Sequence, residues 1–138
     1  MLENDTQTPD PHLIETFGEK DPGGLSQHAH GAKLDAGKNR LGLVLNGFSR
    51  ALTAVGEVGT YGADKYTANG WIGVDNGVER YTDAMYRHLL KEAGGEATDA
   101  DTGLLHAAHA AWNALARLDL LLRDAETPMT PTPTPTRR

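Results

Sequence analysis

Polar side chains that can bind metals or move protons are concentrated in one segment of the chain, from Asp83 to Leu115. Asp99, His106, His109 and Asn113 recur at helical spacing, so on an α-helix they would share one side. A solvated helix face usually carries Lys, Glu, Arg and Gln rather than two histidines and an asparagine. Carboxylates and imidazoles bind divalent metals and transfer protons. The segment therefore has the composition of a functional site.

Each candidate residue near this stripe also has a purely structural interpretation. Glu96 and Asp99 precede or begin a predicted helix, where a carboxylate stabilises the positive end of the helix dipole. Arg87 follows Asp83 by four positions, the spacing of a surface ion pair. His88 alone is typical of a hydrogen-bonded, partly buried histidine. Capping, however, does not require two histidines three positions apart, so the combination favours a site that His88 approaches from a neighbouring helix.

Composition limits the classes of protein to consider. A chain of 138 residues with 38% hydrophobic residues can build one modest core, which predicts a single domain. The net charge of −6 argues against binding to nucleic-acid polymers, because neutralising phosphates needs a basic face. The absence of cysteine excludes disulfides, thiolate catalysis and cysteine-ligated zinc. With no long apolar run and an acidic, polar N-terminus, the sequence predicts a cytoplasmic protein with no membrane span.

The chain divides into a folded middle and two loose ends. Residues 1–32 contain turn formers and scattered acids without an apolar stripe, which predicts a flexible N-terminal arm. Residues 127–138 alternate Thr and Pro, which predicts an extended, disordered tail. Residues 33–126 are then the folded domain.

Apolar residues in the folded domain recur at steps of three and four, which predicts helices. The predicted helices run from about Arg40 to Tyr61, Val78 to Glu92 and Asp99 to Asp124. No segment has a convincing strand pattern. The sequence therefore predicts an all-α fold, a small domain of three to four helices.

The segment between the first two predicted helices, Tyr61 to Gly77, is long and rich in glycine and asparagine. A loop of this length in a small domain is usually functional. Lys65, Tyr66 and Trp71 lie in it and could close over a ligand. Alternatively, Trp71 anchors the loop to the core.

Several motifs occur together in a fixed order along the folded domain. They are KLDAGKNRLGLV from Lys33, GTYGADKYTANGW from Gly59, RYTDAMYRHLL from Arg80 and GGEATDADTGLLHAAHAAWNAL from Gly94. Together they resemble the phage dATP/dGTP diphosphohydrolase-like family, which is considered related to the MazG-type all-α nucleotide pyrophosphohydrolases. The resemblance covers about residues 33–122 and includes an ExxD motif at Glu96 and Asp99. The chain departs from the family pattern at Gly70, at Thr102 where serine is common, and in lacking the MazG-type ExxE.

The resemblance implies metal-dependent hydrolysis of a (deoxy)purine nucleoside triphosphate to the monophosphate and pyrophosphate, with Mg²⁺ or Mn²⁺ as cofactor. Acidic oxygens are suited to these ions, which bridge phosphate oxygens. The implied metal ligands are Glu57, Glu96 and Asp99. The implied catalytic residues are Glu96, Asp99, His106 and His88. Positive and aromatic side chains suited to phosphate and purine, together with one histidine, complete the expected substrate site: Lys38, Lys65, Arg80, Arg87, Tyr66, Trp71 and His109.

The resemblance also implies a MazG-like fold. Self-association is expected to complete this fold, because three short helices bury little apolar area and MazG-type folds commonly pair their helices across a dimer. It implies that the protein acts in the cytoplasm of an infected bacterium. The main alternative is a non-catalytic phage accessory protein that binds and sequesters a nucleotide or a nucleotide signal. A third interpretation, a purely structural helical adaptor, predicts no metal binding.

Overall fold

The computed structural model describes residues 18–126 and places no cis peptide bond among them. By its internal contacts the chain divides into two compact units, one ending at Gly42 and the other beginning at Leu43. Residues 1–17 of the predicted arm and residues 127–138 of the predicted tail lie outside the described part, and both assignments stay predictions.

The described part of the first unit, residues 18–42, consists mainly of turns, and the Asp21 carboxylate organises them. Oδ1 accepts hydrogen bonds from the backbone N–H of Gly23 (2.8 Å) and Leu25 (3.2 Å). Oδ2 accepts one from the backbone N–H of Lys33 at 2.9 Å, twelve positions along the chain. The bond from Lys33, followed by that from Leu25, lowers the pKa of Asp21. One ionised side chain thus holds the local turn at Gly23 and Leu25 against the more distant Lys33.

The described residues form four α-helices and one 3₁₀ turn. They are α1 (Gly42–Leu45), α2 (Ser49–Lys65), the 3₁₀ turn (Gly70–Gly73), α3 (Gly77–Ala93) and α4 (His106–Glu126). Between residues 18 and 126 the only β pairing is an isolated bridge joining Thr98 and Leu105. The predicted all-α class is confirmed.

The prediction of one continuous first helix from Arg40 is wrong, because the chain turns between α1 and α2. A Cβ added at Gly47 would lie 2.5 Å from the carbonyl oxygen of Leu43. This turn therefore requires glycine. The far end of the same helix was underestimated: α2 continues to Lys65, so the predicted long loop is shorter and contains the 3₁₀ turn.

The core lies where α4 packs along α3 and, over a smaller area, along α2. Small side chains on α4 allow the close approach, and Gly77 at the start of α3 lies so near Leu120 that an added Cβ would be 2.7 Å from its Cδ1. The buried apolar residues are Val58, Ala108, Ala110, Ala116 and Leu120. This set is small and alanine-rich, as the composition predicts.

A Schellman motif ends α3 at the Gly94–Gly95 pair. Gly95 has a φ of 101°, the backbone N–H of Glu96 donates to the carbonyl of Lys91, and that of Gly95 donates to Glu92. The third predicted helix begins later than expected, at His106 instead of Asp99. The reason is that the backbone pairs with itself first, through bonds from Asp99 N–H to the Leu104 carbonyl and from His106 N–H to the Ala97 carbonyl.

Large apolar side chains remain exposed in the second unit, including Leu115, Leu118 and Leu122 on α4, each half or more exposed. The self-association expected from the small core stays a prediction. None of the helices between residues 18 and 126 is long and apolar enough to span a bilayer.

Candidate functional site

Three histidine rings from two helices meet where α3 and α4 pack. Nδ1 of His88 on α3 lies 2.8 Å from Nδ1 of His106 on α4. The His88 ring also stacks on His109, with centroids 4.5 Å apart and planes 7° from parallel. The two α4 histidines are three positions apart, so one turn of the helix presents both to His88. The pairing predicted from helical spacing is therefore present, with His88 between the other two rings.

The loop between α3 and α4 adds a carboxylate to this histidine cluster. Asp99 Oδ1 accepts hydrogen bonds from the backbone N–H of Asp101 (3.0 Å) and Thr102 (2.9 Å). Burial works to raise the pKa of Asp99, but these backbone donors, the Thr102 side chain and His109 together outweigh it, and the pKa falls below its ordinary value. Asp99 is therefore ionised at neutral pH, and both donors use the same oxygen.

Thr102 connects this loop to the histidines. Its Oγ1 lies 2.7 Å from Nε2 of His109 and accepts a 3.2 Å hydrogen bond from the backbone N–H of Leu104. From the sequence Thr102 stands out only as a departure from serine. Helical spacing could not have placed it beside His109, because Thr102 lies in the loop before α4 begins at His106.

His106 is fully buried, and one of its nitrogens has no hydrogen bond. Nε2 has no partner among residues 18–126, and the nearest carboxylate oxygen, Oε2 of the exposed Glu96, is 3.5 Å away. That distance satisfies a loose criterion for an ion pair but exceeds a normal hydrogen bond. An unpaired buried imidazole nitrogen is unusual in a folded protein.

Burial lowers the pKa of both His88 and His109. For His88, the neighbouring imidazoles of His109 and His106 lower it further, because they disfavour a second positive charge. Both rings are therefore neutral at physiological pH and have a lone pair available as a hydrogen-bond acceptor, a proton acceptor or a metal ligand.

An open cavity of about 560 Å³ lies beside the loop. Thr102 and Leu104 form one side of it. The other side is a polar stripe along α2: Thr53, Gly56, Glu57, Thr60, Tyr61 and Asp64. Apart from Glu57, these residues were not predicted as site residues, although their spacing of three and four places them on one helix face.

The carboxylates predicted to hold magnesium are not brought together as one ligand set. Glu57 lines the cavity from α2, and Glu96 faces His106 Nε2. Among the described residues, the group with ligand atoms close enough for one ion is His88, Asp99 and His106, with one atom of each lying within 4.8 Å of the others. Two imidazoles and one carboxylate fit a divalent metal, but this is not the all-oxygen set that Mg²⁺ prefers.

The predicted phosphate-binding cations belong to different elements of the chain. Lys65 ends α2, with Nζ 5.3 Å from the centre of the Tyr66 ring, and Tyr66 is 76% exposed. Arg80 and Arg87 are exposed on α3. Lys38 belongs to the first unit, where it pairs with Glu19 at 2.8 Å.

Trp71 packs against the helices. Its ring meets Trp112 edge-on at 6.2 Å and 84°, and the Arg123 guanidinium lies 5.8 Å from its centre. Trp71 lines an apolar groove between α2 and α4 with Leu115 and Leu122, and it is not among the residues that line the cavity beside Thr102. This packing favours the interpretation of Trp71 as an anchor.

Comparisons with known proteins agree with the resemblance in the motifs. The chain is 40% identical over 81 residues to a protein of Salmonella phage PMBT28 named dATP/dGTP diphosphohydrolase. The match covers 59% of this chain but only 26% of that relative's length. No solved structure matches the chain significantly. The family described as "dATP/dGTP diphosphohydrolase, N-terminal" matches residues 28–129, which includes both helices of the histidine cluster. The chain therefore belongs to the dATP/dGTP diphosphohydrolase N-terminal family.

Proposed function

We propose that this chain hydrolyses a (deoxy)purine nucleoside triphosphate to the monophosphate and pyrophosphate, with the help of a divalent metal ion. Membership of the family and the name of the phage relative support the reaction class. The relative's phage origin supports action inside an infected bacterium.

The observation that carries this proposal is the position of Thr102. It lines the open cavity together with Glu57, and it also contacts His109 and donates its backbone N–H to Asp99. A nucleotide in the cavity would therefore contact Thr102, which in turn contacts the ionised Asp99 and the neutral His109. Thr102 thus connects the binding space to acid–base groups, and a hydrolytic site needs both close together.

The charge of the cavity supports the metal dependence. Its α2 wall carries Glu57 and Asp64, and among its lining residues there is no Lys or Arg. A triphosphate would be repelled by these carboxylates unless cations neutralised it. We therefore expect the substrate to be the complex of the nucleotide with Mg²⁺ or Mn²⁺.

Exposed side chains near the ends of α2 and α3 are candidates for the rest of the substrate. Lys65 would contact phosphate, with Arg80 and Arg87 as further donors. Tyr66 is largely exposed, and although Lys65 lies over its ring, it offers an aromatic surface for a purine. Asp99 and the neutral His88 would accept protons or hold the ion.

The second candidate function is nucleotide binding without turnover. It is favoured by one observation: the phage relative carries about three quarters of its length outside the matched region. In that case the same cavity would bind the nucleotide, while catalysis would need residues like those in the part of the relative outside the match.

Incubation of the full chain with dGTP, dATP and the ribonucleotides, with Mg²⁺ or Mn²⁺, tests the proposal. Anion-exchange chromatography should show the monophosphate and pyrophosphate in equal amounts, without diphosphate or free phosphate. Nucleotide binding by calorimetry with no product would favour the second candidate. Neither binding nor product would reject both.

A further inference from the structure

Three side chains from three consecutive elements converge on one point. His88 comes from α3, Asp99 from the loop and His106 from α4. One ring nitrogen of each histidine and one carboxylate oxygen of Asp99 lie within 4.8 Å of one another. Within residues 18–126 no other three His, Asp or Glu side chains meet this condition.

The buried His106 ring provides a second, independent observation. Its Nε2 has no hydrogen bond and faces Glu96 Oε2 at 3.5 Å, and its Nδ1 faces His88. A carboxylate attracts an N–H and repels a lone pair, so the favoured tautomer carries the proton on Nε2. His106 Nδ1 then directs its lone pair into the gap beside His88.

The distance between the two Nδ1 atoms suits a shared ion with little movement. It is 2.8 Å in this structure. A metal ion bound about 2.1 Å from each nitrogen would hold the nitrogens about 3.0–3.4 Å apart. If the two nitrogens moved apart by only a few tenths of an ångström, two metal–nitrogen bonds could replace the hydrogen bond between them.

We propose that His88, Asp99 and His106 bind one divalent transition metal ion of the Zn²⁺, Co²⁺ or Fe²⁺ kind, with Glu96 outside the ligand set, facing His106 Nε2. Imidazole nitrogen suits these ions, whereas Mg²⁺ prefers oxygen ligands and keeps its waters. A carboxylate behind a metal-binding histidine fixes its tautomer and raises its basicity. Three protein ligands leave at least one coordination position open.

His109 is not in this ligand set, since its Nε2 contacts Thr102 and its ring stacks on His88. It acts as a positioning residue that holds the His88 plane. The alternative to a metal is a histidine core joined by an Nδ1–H···Nδ1 hydrogen bond, and that alternative predicts no stoichiometric metal binding.

This inference deepens the proposed function and rests on it only for the use of the metal in hydrolysis. Binding is therefore measured without nucleotide. The full chain is treated with a chelator, desalted and titrated with Zn²⁺ by calorimetry, and with Co²⁺ by visible absorption. We expect one equivalent of each metal to bind, the Co²⁺ complex to show a visible spectrum of mixed nitrogen and oxygen ligation, and excess Mg²⁺ not to displace Co²⁺.

Variants identify the ligands. His88→Gln and Asp99→Asn, both at half-buried positions, should each weaken Co²⁺ binding at least tenfold and change the spectrum. Glu96→Gln should weaken binding by about 10–100-fold and leave the spectrum unchanged, because it acts through His106. His30→Ala, an exposed histidine of the first unit, is the matched control and should bind as the wild type does. Circular dichroism of each metal-free variant verifies that it is folded.

The absence of stoichiometric Zn²⁺ and Co²⁺ binding by the folded wild type would overturn the inference. Unchanged binding by both His88→Gln and Asp99→Asn would do the same, as would displacement of Co²⁺ by excess Mg²⁺. Stoichiometric binding without pyrophosphate release would uphold the metal site and reject the hydrolytic function. Pyrophosphate release by a protein that binds no transition metal would reject the metal site and uphold the hydrolytic function.

Discussion

The Nδ1 atoms of His88 and His106 lie 2.8 Å apart, although eighteen positions separate the two residues in the chain. The contact joins the C-terminal half of α3 to the first residue of α4. Between the two, the Schellman turn and the Thr98–Leu105 bridge reverse the chain. The loop that closes the helix pair therefore also carries Asp99 and Thr102 to the histidines.

Thr102→Val should destabilise the protein by about 1–2 kcal/mol. Valine has nearly the shape of threonine, but it leaves Nε2 of the buried His109 and the N–H of Leu104 without Oγ1. Urea unfolding measures the loss. Thr102→Ser keeps the hydroxyl and should recover most of it, and a valine variant as stable as the wild type would show that this hydrogen bond contributes nothing.

Two glycine substitutions should have opposite effects on stability. Gly77→Ala places a Cβ 2.7 Å from Leu120 Cδ1, so we expect a loss of about 1–3 kcal/mol from overpacking. Gly56→Ala, inside α2 with nothing within 4 Å, should stabilise by about 0.5–1 kcal/mol through helix propensity. Thermal unfolding of both variants checks the pair, and a stabilised Gly77→Ala would contradict the close α3–α4 approach.

The helical class was predictable because the apolar period of α3 and α4 is regular. The break at Gly47 and the late start of α4 at His106 were not predictable. Both depend on contacts between backbone atoms, which the helix propensities of the residues do not describe. The prediction placed His106 and His109 correctly on one face. Sequence spacing could not show that His88 would stack on His109, because that contact depends on how two helices pack.

Trp71→Ala should lower the free energy of unfolding by about 2–3 kcal/mol, because it removes the edge-on contact with Trp112 from a half-buried position. Nucleotide affinity per folded molecule should stay unchanged. Tyr66→Ala, at a largely exposed position, should show the reverse: unchanged stability and a loss of about 1–3 kcal/mol of binding if the ring stacks on the base. A loss of nucleotide affinity in folded Trp71→Ala would show instead that Trp71 stacks on the base.

The turns of the first unit should loosen in acid. The pKa of Asp21 is lowered in the folded state, so its contribution to stability is present above the unfolded value of 3.8 and is lost as the pH falls through the folded value. Amide exchange at Lys33 should therefore accelerate, relative to its intrinsic rate, only below about pH 4. Asp21→Asn has one acceptor oxygen instead of two, so it should show fast exchange at neutral pH, whereas Asp35→Asn should not.

Pyrophosphate release from dGTP or dATP by the full chain, compared between the wild type, Asp99→Asn and Asp83→Asn, tests the central claim most directly. Asp99 belongs to the histidine cluster, while Asp83 is an exposed carboxylate on α3 that serves as the control. We expect the wild type and Asp83→Asn to release pyrophosphate at equal rates with a divalent metal present, and folded Asp99→Asn to lose most of its turnover. Equal turnover by all three proteins, or no turnover by the wild type with any purine nucleotide and metal, would contradict a hydrolytic site at this cluster.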